Sequence, residues 1–369
     1  MLSATCHIIL RSDIATSQAD PFYGQGSVMV AGDQVMAVNA GSNTFSVFKI
    51  DPTDPAKPSF QSTYPSHGEF PVSLAKSADN SMICVLNGGA VNGFSCYKAH
   101  ATGWKHLASW DRTFGLNLTT PPHGPVGGGP SQMTFSADMT SLLVAVKGRL
   151  STDLNNPTGT LQPGGIYTYA IGENGTLAQD PVKYSAMVPF SIAEDMYTPG
   201  VYFTTDVSTG YAAFDLGDTE MMEQGTIPLQ AATCWAAQSS LTGSYYTIDI
   251  AAANDITEIS LDTTTLKLVD FHDSHFPQKR TSLTMNSDDS GTILAALSVG
   301  TNSTATDISI FSAGDADYIY VNAPGYHDLH SYKITAPGKF SLIQRFHVSD
   351  MPSNLVETDG FAGQAVYYM

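Results

Sequence analysis

One short phrase of residues, repeated along the chain, limits what this protein can fold into. Its clearest copy runs Gly127-Gly128-Gly129-Pro130-Ser131-Gln132-Met133-Thr134-Phe135-Ser136-Ala137-Asp138 and continues Leu142-Leu143-Val144-Ala145-Val146-Lys147-Gly148. Small residues open a short apolar strand, a polar turn with an acid follows, and a second apolar strand returns. Short runs of β-branched and aromatic residues bounded by Gly, Pro, Asn and Asp read as strands. The same pattern recurs at 26–33 with 35–39, 71–79 with 82–87, 190–193 with 201–204, and 233–236 with 245–248. It recurs again at 281–285 with 293–297 and at 308–311 with 318–322, making seven copies.

A third strand follows in most copies, at 44–50, 93–97, 165–169, 211–214, 256–259 and 330–334. A fourth, edge strand reads at 60–64 and 341–346. Four short strands per repeat of roughly 45–55 residues are the signature of a β-propeller. The expectation is an all-β fold, a single β-propeller domain spanning residues 1–369, with seven blades. The interval from Ile293 to Tyr318 is short for a whole blade, so six blades with an extra hairpin is the alternative. The apolar runs 7–10 and 364–368 are expected to close the propeller, since closure removes exposed sheet edges.

The chain has 16 basic and 34 acidic residues, a net charge of -18. Nucleic acid and anionic membranes are disfavoured as partners, because both call for a basic patch. No stretch approaches the ~20 apolar residues of a transmembrane helix. Residues 1–19 lack the apolar core of a signal peptide. The protein is then either intracellular or read here after a leader has been removed. A surface rich in Ser, Thr, Asn and Gly, with sequons at Asn117, Asn174 and Asn302, favours the secretory pathway. The sequence assigns no oligomeric state.

The four cysteines show no zinc-type Cys-x-x-Cys spacing. Cys84 and Cys96 flank a hairpin turn almost symmetrically, so they form either a cross-strand disulfide or two buried thiols. Cys6 and Cys234 could pair only if the N-terminal strand returned beside the fifth copy.

The phrases Ala37-Val38-Asn39-Ala40-Gly41-Ser42-Asn43-Thr44, Gly127 to Gln132, and Val146-Lys147-Gly148 resemble the fungal branch of the lactonase or 3-carboxymuconate cyclase-like propeller family. That family is similar to 6-phosphogluconolactonase-type seven-bladed propellers. It includes lactonases, muconate cycloisomerases and glycoproteins without settled activity. Related fungal propellers act as intermolecular hetero-Diels–Alderases in tropolone sesquiterpenoid pathways. The resemblance therefore implies a small-molecule substrate but does not choose among these reactions, because one fold hosts many functions.

The residues narrow the choice. There is no Gly-x-Ser-x-Gly elbow, His-Glu-x-x-His or P-loop. A calcium-dependent lactonase would need converging carboxylates, for which Asp195, Asp206, Asp249 and Asn286 are candidates. Turn Asp residues more often serve as caps, so no metal or other cofactor is expected. A tricarboxylate substrate would call for several Arg side chains. The chain has only five, of which Arg11 precedes the repeats and Arg345 lies on an edge strand. Arg112, Arg149 and Arg280 remain, with Lys147, so a neutral or phenolic substrate is favoured.

Arg280 stands just before a predicted inner strand, where it could stabilise charge developing on an oxygen. His123 and His327 are the candidate acids or bases, with His67 and His330 behind them. Asn39, Asn87, Gln132, Lys147, Tyr197, Trp235, Asn286 and Tyr326 are the candidate substrate-binding residues at strand ends and turns. The reading is a cofactor-independent ring-forming enzyme, most concretely a hetero-Diels–Alderase on a tropolone-like substrate in the propeller channel. The alternatives are a lactonase or carboxymuconate-type cycloisomerase, and a non-catalytic secreted ligand-binding glycoprotein.

Overall fold

A computed structural model describes residues 23–122, 128–149, 162–228, 230–251, 255–269, 293–299, 305–326, 328–347 and 365. Among them, strands dominate and the helical content is three short 3-10 turns, at Ala40–Ser42, Ala108–Trp110 and Pro324–Tyr326. The described residues fall into two compact units divided after Phe190.

The first unit carries three antiparallel sheets, each a meander of consecutive strands. The first joins β1 (Val28–Ala31), β2 (Gln34–Asn39), β3 (Thr44–Lys49) and β4 (Ser59–Pro65). The second joins β5 (Pro71–Lys76), β6 (Met82–Asn87), β7 (Gly93–His100) and β8 (Gly103–His106), and β9 (Arg112–Thr113) also pairs with β7. The third joins β10 (Pro130–Phe135), β11 (Ser141–Val146), β12 (Gly164–Ala170) and β13 (Val182–Ala186).

The second unit repeats the plan. Its first sheet is β14 (Pro189–Glu194, starting at the division), β15 (Val201–Asp206), β16 (Gly210–Asp215) and β17 (Asp218–Gly225). Then come β18 (Thr233–Gln238), β19 (Tyr245–Asp249) and β20 (Asp255–Ile259), a small ribbon of β21 (Leu261–Asp262) with β22 (Lys267–Leu268), and β23 (Ile293–Ser298). Its last sheet is β24 (Thr306–Ala313), β25 (Ala316–Ala323), β26 (Asp328–Ala336) and β27 (Lys339–His347).

These are propeller blades, and the described residues hold six of them. The seven-copy count is corrected at one strand. Residues 293–297 read as the second strand of a separate copy, but β23 pairs with β20, placing Ala296 opposite Thr257 and Leu297 opposite Ile256. It is the fourth strand of the fifth blade. An apolar strand can serve as either, and only its long-range partner distinguishes them. The strand read at 281–285 and the closing runs at 7–10 and 364–368 lie outside the described residues, apart from residue 365.

The recurring polar turn has a physical reason. Ser77 Oγ donates to Asp79 Oδ1 at 2.6 Å and accepts from the Met82 amide at 2.9 Å. Ser136, Asp138 and Ser141 reproduce this at 2.7 and 2.9 Å. Each Asp Oδ1 also accepts a backbone N–H two residues on, from Ser81 and Thr140. Such Asx turns satisfy donors that the hairpin leaves unpaired. These bonds lower the Asp79 pKa to about 2, with the Ser77 hydroxyl the largest contributor.

A second device recurs at the start of the innermost strands. The pairing slips between Pro71 and Ser73, Pro130 and Gln132, Thr233 and Trp235, and Thr306 and Ile308. Each slip is a β-bulge of one residue, a feature that bends a strand and re-aims its side chains.

The blade faces bury aromatic and aliphatic side chains, including Phe45, Phe94, Phe203, Tyr245 and Trp235. Cys84 and Cys96 stand directly opposite each other on β6 and β7, fully buried, and are joined as a disulfide. Cys234 is buried at the start of β18, and Cys6 lies outside the described residues.

Candidate functional site

The ends of the second strands are where the repeat places polar side chains. In the first unit these are Asn39, Asn87 and, one residue past β11, Lys147; in the second they are Asp206, Asp249 and, within β25, Asn322. In each unit they sit at the end of the sheet where the innermost strand begins.

Their partners show what they do. Asn39 Nδ2 donates to Thr44 Oγ1 at 3.0 Å and Ser46 Oγ at 2.9 Å, which braces the β2–β3 turn. Asn87 Nδ2 donates to the Ser66 carbonyl at 3.0 Å, whereas its Oδ1 is buried without a hydrogen bond. Lys147 is 3% exposed and donates from Nζ to the Tyr23 carbonyl at 2.6 Å. Its ammonium lies 5.2 Å from the Phe190 ring and 6.0 Å from the Tyr23 ring, within cation–π range. Lys147 thus tethers the segment entering the first sheet.

The guanidinium groups are similarly engaged. Arg112 is buried and donates to the carbonyls of Ala178, Leu177, Ser109 and Asp111. Arg149 donates to the Asn117 carbonyl. With Nε, Nη1 and Nη2 all donating to carbonyls, Arg112 has no fork left for a substrate carboxylate. Arg280, His123, His327 and Asn286 lie outside the described residues.

The candidate metal carboxylates act as caps. Asp206 Oδ1 accepts from the Ser208 and Thr209 amides, and Asp249 accepts from those of Ala231, Ala232 and Ala251. Asp195 accepts from the Tyr197 and Thr198 amides, the Gln238 side chain at 2.7 Å and the Tyr245 hydroxyl at 2.9 Å. Among the described residues, no three His, Cys, Asp or Glu side chains are grouped to hold a metal ion.

The remaining candidates scatter. Trp235 is fully buried on β18, and Gln132 is half-buried on β10 beside its bulge. Tyr197 is exposed in the β14–β15 turn, where its hydroxyl donates to the Ser240 carbonyl. Tyr326 is partly exposed in the 3-10 turn before β26. His67 stacks on His106, ring centroids 3.7 Å apart, and His106 pairs with Asp111 at 2.9 Å.

Beside Tyr326 lies the arrangement with the most chemical potential. Asp328 opens β26 and stands directly opposite His347 at the end of β27. Its Oδ1 accepts from His347 Nδ1 at 2.8 Å, and its Oδ2 lies 3.5 Å from His330 Nε2. His330 Nδ1 in turn shares a 3.3 Å hydrogen bond with the Tyr332 hydroxyl. The line runs from buried Tyr332 and His330, through an Asp328 side chain 15% exposed, to a His347 side chain 61% exposed. Burial lowers the His330 pKa and Arg345 adds to this, against the opposing pull of Asp328. An imidazole oriented by a carboxylate is the arrangement of a general base.

The sequence reading passed over Asp328 and His347 because nineteen residues separate them. The signal available was a cross-strand one: an acid at the start of one predicted strand and a histidine at the end of the next.

No family model matches this chain, and no curated protein matches it in sequence. Solved structures do match in fold. A 6-phosphogluconolactonase candidate of Bacteroides fragilis aligns over 90% of this chain and 86% of its own, with 15% identity and a TM-score of 0.60. The periplasmic gluconolactonase of Pseudomonas aeruginosa aligns over 87% and 85%, with 12% identity and a TM-score of 0.61. The Cps50 (Swd1) β-propeller domain of Myceliophteria thermophila aligns over 86% and 84%, with 10% identity and a TM-score of 0.53. At these identities the likeness establishes the fold: the chain is a β-propeller.

Proposed function

We propose that this chain is a small-molecule hydrolase of the lactonase kind, which opens a cyclic ester with a water molecule activated by His347. The observation that carries the reading is the Asp328 carboxylate holding the imidazole of the exposed His347 at 2.8 Å. His347 takes a proton from water as the water oxygen attacks the ester carbonyl. The ring C–O bond then breaks, and the imidazolium returns the proton to the departing alkoxide. Asp328 keeps the ring oriented and stabilises its charged form. Tyr326 offers a partly exposed aromatic face near the same strand end. The route uses no metal and no organic cofactor.

Two of the structurally similar proteins are described as lactonases, which supports this chemistry over ring formation. A hetero-Diels–Alder addition on a neutral or phenolic substrate would use Arg280, His123 and His327, which lie outside the described residues. The described residues supply a base, which hydrolysis needs and a concerted hetero-Diels–Alder addition does not.

The test is hydrolysis of a panel of five- and six-membered lactones followed by pH-stat. His347→Ala is expected to lower kcat/KM by about 10²–10⁴-fold, the usual worth of a general base. Asp328→Asn is expected to lower kcat with little change in KM. Absence of hydrolysis across the panel, or full activity in His347→Ala, overturns the proposal.

A further inference from the structure

We propose that Asn174 is a site of N-linked glycosylation, and that the structure favours it over Asn117. Of the three sequons, that of Asn302 lies outside the described residues, and the other two are built differently. Asn174 is exposed in the turn between β12 and β13. Its Oδ1 accepts hydrogen bonds from Thr176 Oγ1 at 2.7 Å and from the Thr176 amide at 3.2 Å. The asparagine side chain and the hydroxyl of its own sequon are therefore already together. Between them Gly175 is in the left-handed region, and the direction its Cβ would take meets nothing within 4 Å. The turn is held from beneath by the Trp110 indole, which donates to the Gly175 carbonyl at 3.1 Å. A bulky polar group can leave such a turn into solvent without displacing any packed residue.

Asn117 is exposed as well, but its side chain and the hydroxyl of its sequon are not brought together. The Thr119 hydroxyl of its sequon donates instead to the Pro121 carbonyl at 2.7 Å. Leu118 is half-buried, and the Asn117 carbonyl is held by Arg149. The buried Cys84–Cys96 disulfide is an independent sign of passage through an oxidising compartment, where this modification occurs. In the transfer, Asn174 Nδ2 bonds to the anomeric carbon of an oligosaccharide carried on a lipid pyrophosphate. The anomeric C–O bond breaks, its electron pair leaves on the pyrophosphate, and the amide gives up one proton to a base.

The full chain would be passed through the secretory pathway of a eukaryotic host and compared by peptide mass spectrometry with the bacterial product. The expected result is a glycan on the Asn174 peptide, released by peptide-N-glycosidase with conversion of that residue to aspartate. Asn174→Gln and Thr176→Ala each remove it completely, Thr176→Ser keeps it, and Asn117→Gln leaves it unchanged. Folding of the variants is checked by circular dichroism, and Thr176→Ser serves as the variant that keeps the turn. An unmodified Asn174 peptide, or a glycan on Asn117 with Asn174 bare, overturns the proposal.

Discussion

His330 shows how one residue couples this fold to pH. Its imidazole is fully buried, so water cannot stabilise the cation, and its folded pKa falls below the ordinary value of 6.5. A depressed folded pKa means that the unfolded chain takes up the proton first. The stability His330 contributes is complete above the unfolded pKa of about 6.5 and is lost as pH falls through the lower folded value. Urea midpoints measured between neutral and mildly acidic pH should therefore fall more steeply for the wild type than for His330→Gln. Gly93 is a second residue with a sharp expectation. Its φ is +144°, and a Cβ there would lie 1.9 Å from the Arg112 carbonyl oxygen. Gly93→Ala should cost at least about 1–3 kcal/mol in equilibrium unfolding, as overpacking against backbone does, and should release β9 from β7.

At the scale of elements, most strands could be read directly. β2, β5, β6, β11, β15, β19 and β25 fall where the apolar runs place them, because strand periodicity and turn chemistry are local properties. The Ser77–Asp79 and Ser136–Asp138 turns are visible as motifs for the same reason. The disulfide was open as an alternative in the sequence; its reality depends on register, which puts Cys84 opposite Cys96 rather than one residue away. Replacing both cysteines by serine should lower stability by about 2–4 kcal/mol, read as a shifted urea midpoint with an altered denatured state. The candidate site was less visible. Asn87 ends β6 and Lys147 follows β11, yet whether their polar atoms face a ligand or brace the backbone depends on neighbours that sequence spacing does not show. Lys147 braces Tyr23, while Asn87 keeps one buried acceptor unused.

For the whole molecule, the dominant property is charge. A net of -18 keeps copies apart at neutral pH, and that repulsion vanishes near the pI of about 4.6. Solubility measured across pH should pass through a minimum there.

Composition, the polar turns and the repeated apolar runs by themselves determined an all-β chain of stacked four-stranded units, since each rests on interactions within a few residues. Only the tertiary structure decided that β23 completes the fifth blade, that Arg112 is spent on four carbonyls, and that Asp328 orients His347. Those outcomes depend on which strand lies beside which. Backbone pairing is nearly indifferent to sequence at that level, and the choice is made by packing across residues far apart in the chain.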